Sequence, residues 1–164
     1  MRRGPAGVVA TRMPGACLRV RAAHGTIGIM QSLPYDDAPD ETAYDLLLRG
    51  QALLTSNHHA QAAIVLERAD RLEPGKGSIL EALGRAYFNS GQASRAQLTF
   101  EALLDVDPLS HFGHYALGQS LKRLGRRQEA GPYLRLAVAM SPQSALYRAA
   151  LTRLGPPPRP RVEP

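Results

Sequence analysis

The sequence predicts an all-α fold, a superhelical solenoid of three helix-turn-helix repeats closed by a capping helix. Three observations predict it. Pro74, Pro108 and Pro142 recur on a 34-residue step, and the same step relates Gly50, Gly84 and Gly118. Within each unit the apolar residues follow helical spacing: Leu80, Leu83, Ala86 and Tyr87 form one stripe, and Ala96, Phe100, Leu103 and Leu104 another. Leu and Ala carry the apolar load while aromatics make up only 5% and Trp is absent, a balance that suits helices better than strands.

The segment 1–40 reads as a disordered leader. Arg2, Arg3, Arg12, Arg19 and Arg21 lie in a stretch without Asp or Glu, and the composition turns acidic after Met30, which marks that methionine as an alternative start. "GVVA" is too short for a secretory core and is soon followed by Arg12, and the Gly/Pro-dotted, Ser-poor stretch does not suit an amphipathic presequence. These five arginines dominate the net charge of +6, since the rest of the chain has 15 basic against 14 acidic residues. A basic nucleic-acid-binding face is therefore not indicated for the folded part. The single cysteine, Cys17, allows no intrachain disulfide and points to a reducing, cytoplasmic setting; no apolar run approaches the ~18 residues that span a bilayer.

The solenoid is expected over residues 41–155, with repeats at about 43–76, 77–110 and 111–142 and the cap at 143–155. Further columns keep the same beat: Ala62, Ala96 and Ala130; Leu66, Phe100 and Leu134; Leu53, Tyr87 and Leu121; Leu72, Val106 and Met140. Asn57, Gly91 and Gly125 mark the turn inside each unit, where a helix ends in left-handed backbone. A glycine inside a helix costs about 1 kcal/mol relative to alanine. Three in one column imply a neighbouring helix too close for a side chain, with Ala62, Ala96 and Ala130 as the complementary small surface. Pro132, a few residues into the third unit's second helix, predicts a kink or late start there. In the cap, Leu146, Tyr147, Ala150, Leu151 and Leu154 share an apolar face, and Gly155 with the following prolines stops the helix. Residues 156–164 read as a Pro-rich disordered tail.

The stretch "LEALGRAYFNSGQASRAQLTFEALLDVDP" (80–108) resembles a tetratricopeptide repeat, with Leu83, Gly84, Tyr87, Ala96, Phe100 and Pro108 at its defining places. The resemblance implies a protein-interaction adaptor that takes a partner peptide or helix in a concave groove lined by the first helices. The matching residues are Tyr44, Leu47 and Gln51; Ser78, Glu81, Arg85, Phe88 and Asn89; and Phe112, Tyr115, Gln119 and Lys122. Chaperone-binding members carry a basic and Asn clamp for a terminal carboxylate, and here Leu47, Gln51, Ala82, Phe112 and Ala116 stand in its places. An apolar-anchored segment suits such a groove better than an acidic tail.

No catalytic, cofactor or metal site is expected. "EPGKGS" (73–78) suggests a phosphate loop, but Asp70 stands where its first Gly belongs and Gly77 where Ser or Thr must follow the Lys. It reads as the turn between two repeats, with Gly75 and Gly77 reversing the chain. His111 and His114, three apart, lack a third ligand nearby and read as a polar helix start. His58 and His59 flank a turn, and Glu67 and Glu101 mark a repeated surface position. The alternative functions are a self-assembling structural module and, disfavoured, nucleic-acid association through the leader and Arg126-Arg127.

Overall fold

The computed structural model describes residues 41–155. The leader with Cys17 and Met30, and the proline-rich tail, lie outside the described residues. Seven helices follow one another: α1 (Ala43–Thr55), α2 (His59–Leu72), α3 (Gly77–Asn89), α4 (Ala93–Val106), α5 (His111–Arg123), α6 (Arg127–Met140) and α7 (Ala145–Leu154). The described residues contain no strand. The first helices begin at 43, 77, 111 and 145 and the second at 59, 93 and 127, so one constant step governs each start, that of the capping helix included.

Local chemistry sets these boundaries. Thr42, Ser110 and Ser144 cap α1, α5 and α7, each hydroxyl accepting from a backbone N–H in the first turn. Asp45 completes a reciprocal capping box with Thr42. Inside each repeat the turn is one motif used three times. Asn57, Gly91 and Gly125 adopt φ of 61°, 85° and 81°. The N–H one residue later reaches back to the carbonyl of Leu53, Tyr87 or Leu121 at 2.8, 2.8 and 2.9 Å. The "EPGKGS" turn differs from expectation in one detail. Gly75 has φ of 74°, whereas Gly77 is the first residue of α3 and needs no left-handed backbone. Lys76 reaches the Glu73 carboxylate at 2.5 Å on the surface.

Within each repeat the two helices meet at the glycine column. A Cβ on Gly50 would sit 2.5 Å from the Leu66 side chain, one on Gly84 would sit 2.5 Å from the Phe100 ring, and one on Gly118 would sit 2.7 Å from Leu134. The close neighbour is thus the bulky column Leu66, Phe100 and Leu134, not the alanine column expected above. Ala62, Ala96 and Ala130 are fully buried beside it. Repeats stack through α2 on α3, α4 on α5 and α6 on α7. First helices also touch one another (α1 with α3, α3 with α5, α5 with α7), whereas α2, α4 and α6 do not. The first helices therefore line the inner side of the stack and the second helices its outer side.

Glu67 does more than occupy a repeated surface position. It accepts from the Tyr87 hydroxyl at 2.7 Å and pairs with Arg95 at 2.9 Å, and Arg95 lies over the Tyr87 ring. This node ties α2, α3 and α4 together. Glu101 instead takes a bond from Gln97. The late start expected at Pro132 does not occur: α6 runs unbroken through it and is as long as α2 and α4. The proline falls at the sixth position, so the donor it lacks would have met the carbonyl of Gln128, while the start of the helix stays in register.

Gly84→Ala tests the close approach. It should lower stability by about 1–3 kcal/mol by overpacking, despite the higher helix propensity of alanine, read as a lower urea midpoint. Tyr87 gives a pH signature. Burial first, and then the bond to Glu67, push its phenol well above the ordinary tyrosine range. The native state therefore holds this proton more tightly than the unfolded chain. Stability is retained below about pH 10 and falls as pH rises above it. Denaturation midpoints measured across that range should fall less steeply in Tyr87→Phe than in the wild type.

Candidate functional site

The inner face is built from α1, α3, α5 and α7. Its centre is a connected run of rings. Phe112 meets Phe100 edge-on at 6.2 Å and tilts against Tyr115 at 6.2 Å, and Tyr115 stacks on Tyr147 of α7 at 4.7 Å. The Tyr147 hydroxyl and His111 Nδ1 share a hydrogen bond at 2.9 Å. Burial raises the Tyr147 phenol's pKa, with the Tyr115 and Glu81 charges adding to the effect. Two guanidinium groups lie over rings of this face. Arg85 stands 5.8 Å from the Phe112 centroid and Arg123 stands 4.0 Å from that of Phe88. Arg123 also donates to the Phe88 carbonyl, which fixes it across α3 and α5. Arg85 and Glu81 form an exposed pair at 3.8 Å.

The structure thus brings Glu81, Arg85, Phe112 and Tyr115 together. Phe88, Gln119 and Lys122 are half-buried, while Tyr44, Gln51, Ser78 and Asn89 are exposed. Leu47 is a correction: it is 5% exposed and belongs to the core. Its column faces the next first helix, as the Tyr115–Tyr147 stack shows, and a short leucine is covered there. Phe112 and Tyr115 do double duty, each giving one side to packing between helices and one to solvent.

Three side chains of this face escaped the sequence reading. Leu146 was expected in the buried stripe of the cap but is 57% exposed, whereas Tyr147 and Ala150 are buried. The signal was present, since Leu146 stands one repeat step after Phe112 and continues its column. Leu48 is 47% exposed, although its column continues as the buried Ala82 and Ala116. Arg123 was hidden as the last residue of α5.

The histidines do not converge. His114 is buried, with Nε2 at 2.9 Å from the Pro108 carbonyl and its ring stacked on Tyr133, while His111 turns to Tyr147. The expected polar helix start is thus a packed one. Among the described residues no group of three or more His, Cys, Asp or Glu is placed to hold a metal ion, and no helix is long and apolar enough to cross a membrane. Arg126 is engaged by Glu129 and Gln97, and Arg127 by the Leu154 carbonyl.

Paired helices stacked on a fixed step define an α-helical repeat protein. The family model for the tetratricopeptide repeat matches residues 81–145. Over these residues the chain carries tetratricopeptide repeats. Over 109 residues, 66% of this chain, it is 30% identical to mouse "Superkiller complex protein 3", of whose length it spans 7%. Among solved structures it is similar to the Arabidopsis OM64 TPR domain, with TM-score 0.67 and 18% identity, covering 69% of this chain and 93% of that one. It is also similar to the first TPR of Spaghetti (RPAP3) bound to HSP90 peptide SRMEEVD, with TM-score 0.66 and 13% identity, covering 70% and 90%.

Tyr147 anchors this face and can be dissected. Tyr147→Phe, which loses only the bond to His111, should cost about 1 kcal/mol. Tyr147→Ala, which also removes the ring beneath Tyr115, should cost about 3 kcal/mol or more in thermal or urea unfolding.

Proposed function

We propose that the protein is a non-catalytic interaction adaptor whose inner face takes a peptide or helix of another protein. The supporting observation is the row of uncovered apolar side chains on the first helices: Tyr44, Leu48 and Leu146 are exposed, and Phe112 and Tyr115 half so. Rings held in place by packing and flanked by arginines have the composition of an interaction hot spot. The RPAP3 relative, whose structure contains a bound peptide, supports a peptide as occupant.

The occupant differs in chemistry from a clamped terminal carboxylate. Leu47, Ala82 and Ala116 occupy places where a basic and Asn clamp would stand, and all three are buried. The face offers apolar anchor sites, with Arg85, Lys122 and Arg123 outnumbering Glu81. It fits an internal segment whose apolar anchors are flanked by an acidic residue.

A displayed peptide library selected on the full chain tests this reading. Selected sequences should share spaced apolar anchors. Leu48→Asp/Leu146→Asp should weaken their binding by about tenfold or more while leaving helical content unchanged, since both side chains already face solvent. Undiminished binding by the folded variant would move the site off this face.

A further inference from the structure

The outer face carries apolar side chains for which the groove has no use. On α2, Ile64 and Leu72 are 63% and 57% exposed, and on α4, Leu98 and Val106 are 65% and 54% exposed. Members of each pair are eight residues apart, so they stand on one side of their helix two turns apart. The repeat step sets Ile64 level with Leu98 and Leu72 level with Val106. The result is two matching stripes on helices that do not touch each other.

The charges beside the stripes are complementary. Arg71 on α2 and Asp105 on α4 share a register column, and both are exposed. Neither has an ion-pair partner among the described residues, whereas Arg68 pairs with Glu41, Arg95 with Glu67 and Arg126 with Glu129. Asp105 is also misplaced for its own helix. It is the penultimate residue of α4, where the carbonyl end of the helix disfavours negative charge.

We propose that this face joins two copies of the chain in a twofold dimer, the α2 stripe of each copy lying on the α4 stripe of the other. A twofold axis parallel to the two helices and midway between them keeps the facing stripes level. Ile64 then meets the partner's Leu98, Leu72 meets the partner's Val106, and Arg71 meets the partner's Asp105, each contact occurring twice. A second copy answers the apolar stripes and the opposed charges with one operation, whereas an unrelated apolar helix answers only the stripes. The dimer leaves the inner face of both copies open.

Sedimentation equilibrium of the full chain over a wide concentration range tests the proposal. The wild type should be a reversible monomer–dimer system. Asp105→Arg turns two attractions into two repulsions and should weaken the dimer by at least about tenfold. The same change improves the electrostatics of the end of α4, so at concentrations low enough for both proteins to be monomeric its thermal midpoint should be unchanged or higher, which separates lost pairing from lost folding. Arg71→Asp/Asp105→Arg, which exchanges the charges, should restore dimerisation. A wild type that is monomeric throughout or assembles beyond a dimer would overturn the proposal. So would an Asp105→Arg variant that pairs like the wild type, or a double variant that stays monomeric.

Discussion

Helix pairs here are held by how closely two backbones approach at a glycine. At Gly50, Gly84 and Gly118 the first helix presents no side chain, and Leu66, Phe100 or Leu134 from the second helix fills the gap. That contact sets the spacing of each pair, and with it the direction of every other residue on both helices. Phe100 shows the extent of the dependence: it is 1% exposed, touches Gly84 within its own repeat and meets Phe112 of the next. The same ring therefore sets the geometry of one pair and supports the inner face of its neighbour.

The stack divides its surface into two chemistries. Inner helices lie near enough to touch, so long side chains bridge between them: Arg123 crosses from α5 to α3, Arg85 leans over Phe112, and Tyr115 stacks on α7. Outer helices stand apart, and their side chains either pair past the intervening inner helix, as Arg95 does with Glu67 beside Tyr87, or point to solvent. The inner surface is consequently aromatic and held in place, and the outer one aliphatic.

Much of this was legible in the sequence because periodicity records what recurs. The glycine, alanine and proline columns, the left-handed turn at Asn57, Gly91 and Gly125, and the all-α class all follow from the one repeat step. Columns are less informative where one member differs in size or where the stack ends. Leu47 shares a column with Glu81 and Tyr115 but is too short to reach solvent. Leu48 shares one with two buried alanines, yet no preceding helix among the described residues covers it. Spacing alone could not separate His111 from His114, because the difference lies in Pro108 and Tyr147, which only folding brings to them. Nor could it show that α6 keeps its start despite Pro132.

The stacked pair Tyr115 and Tyr147 gives the protein an optical property. The chain has no tryptophan, so its near-ultraviolet emission comes from six tyrosines, and two of these lie ring on ring at 4.7 Å beside the inner face. Their absorption and emission are coupled by that distance. Anything that parts or presses the rings changes a signal with no brighter indole to mask it, and the inner face can be followed by light without a label.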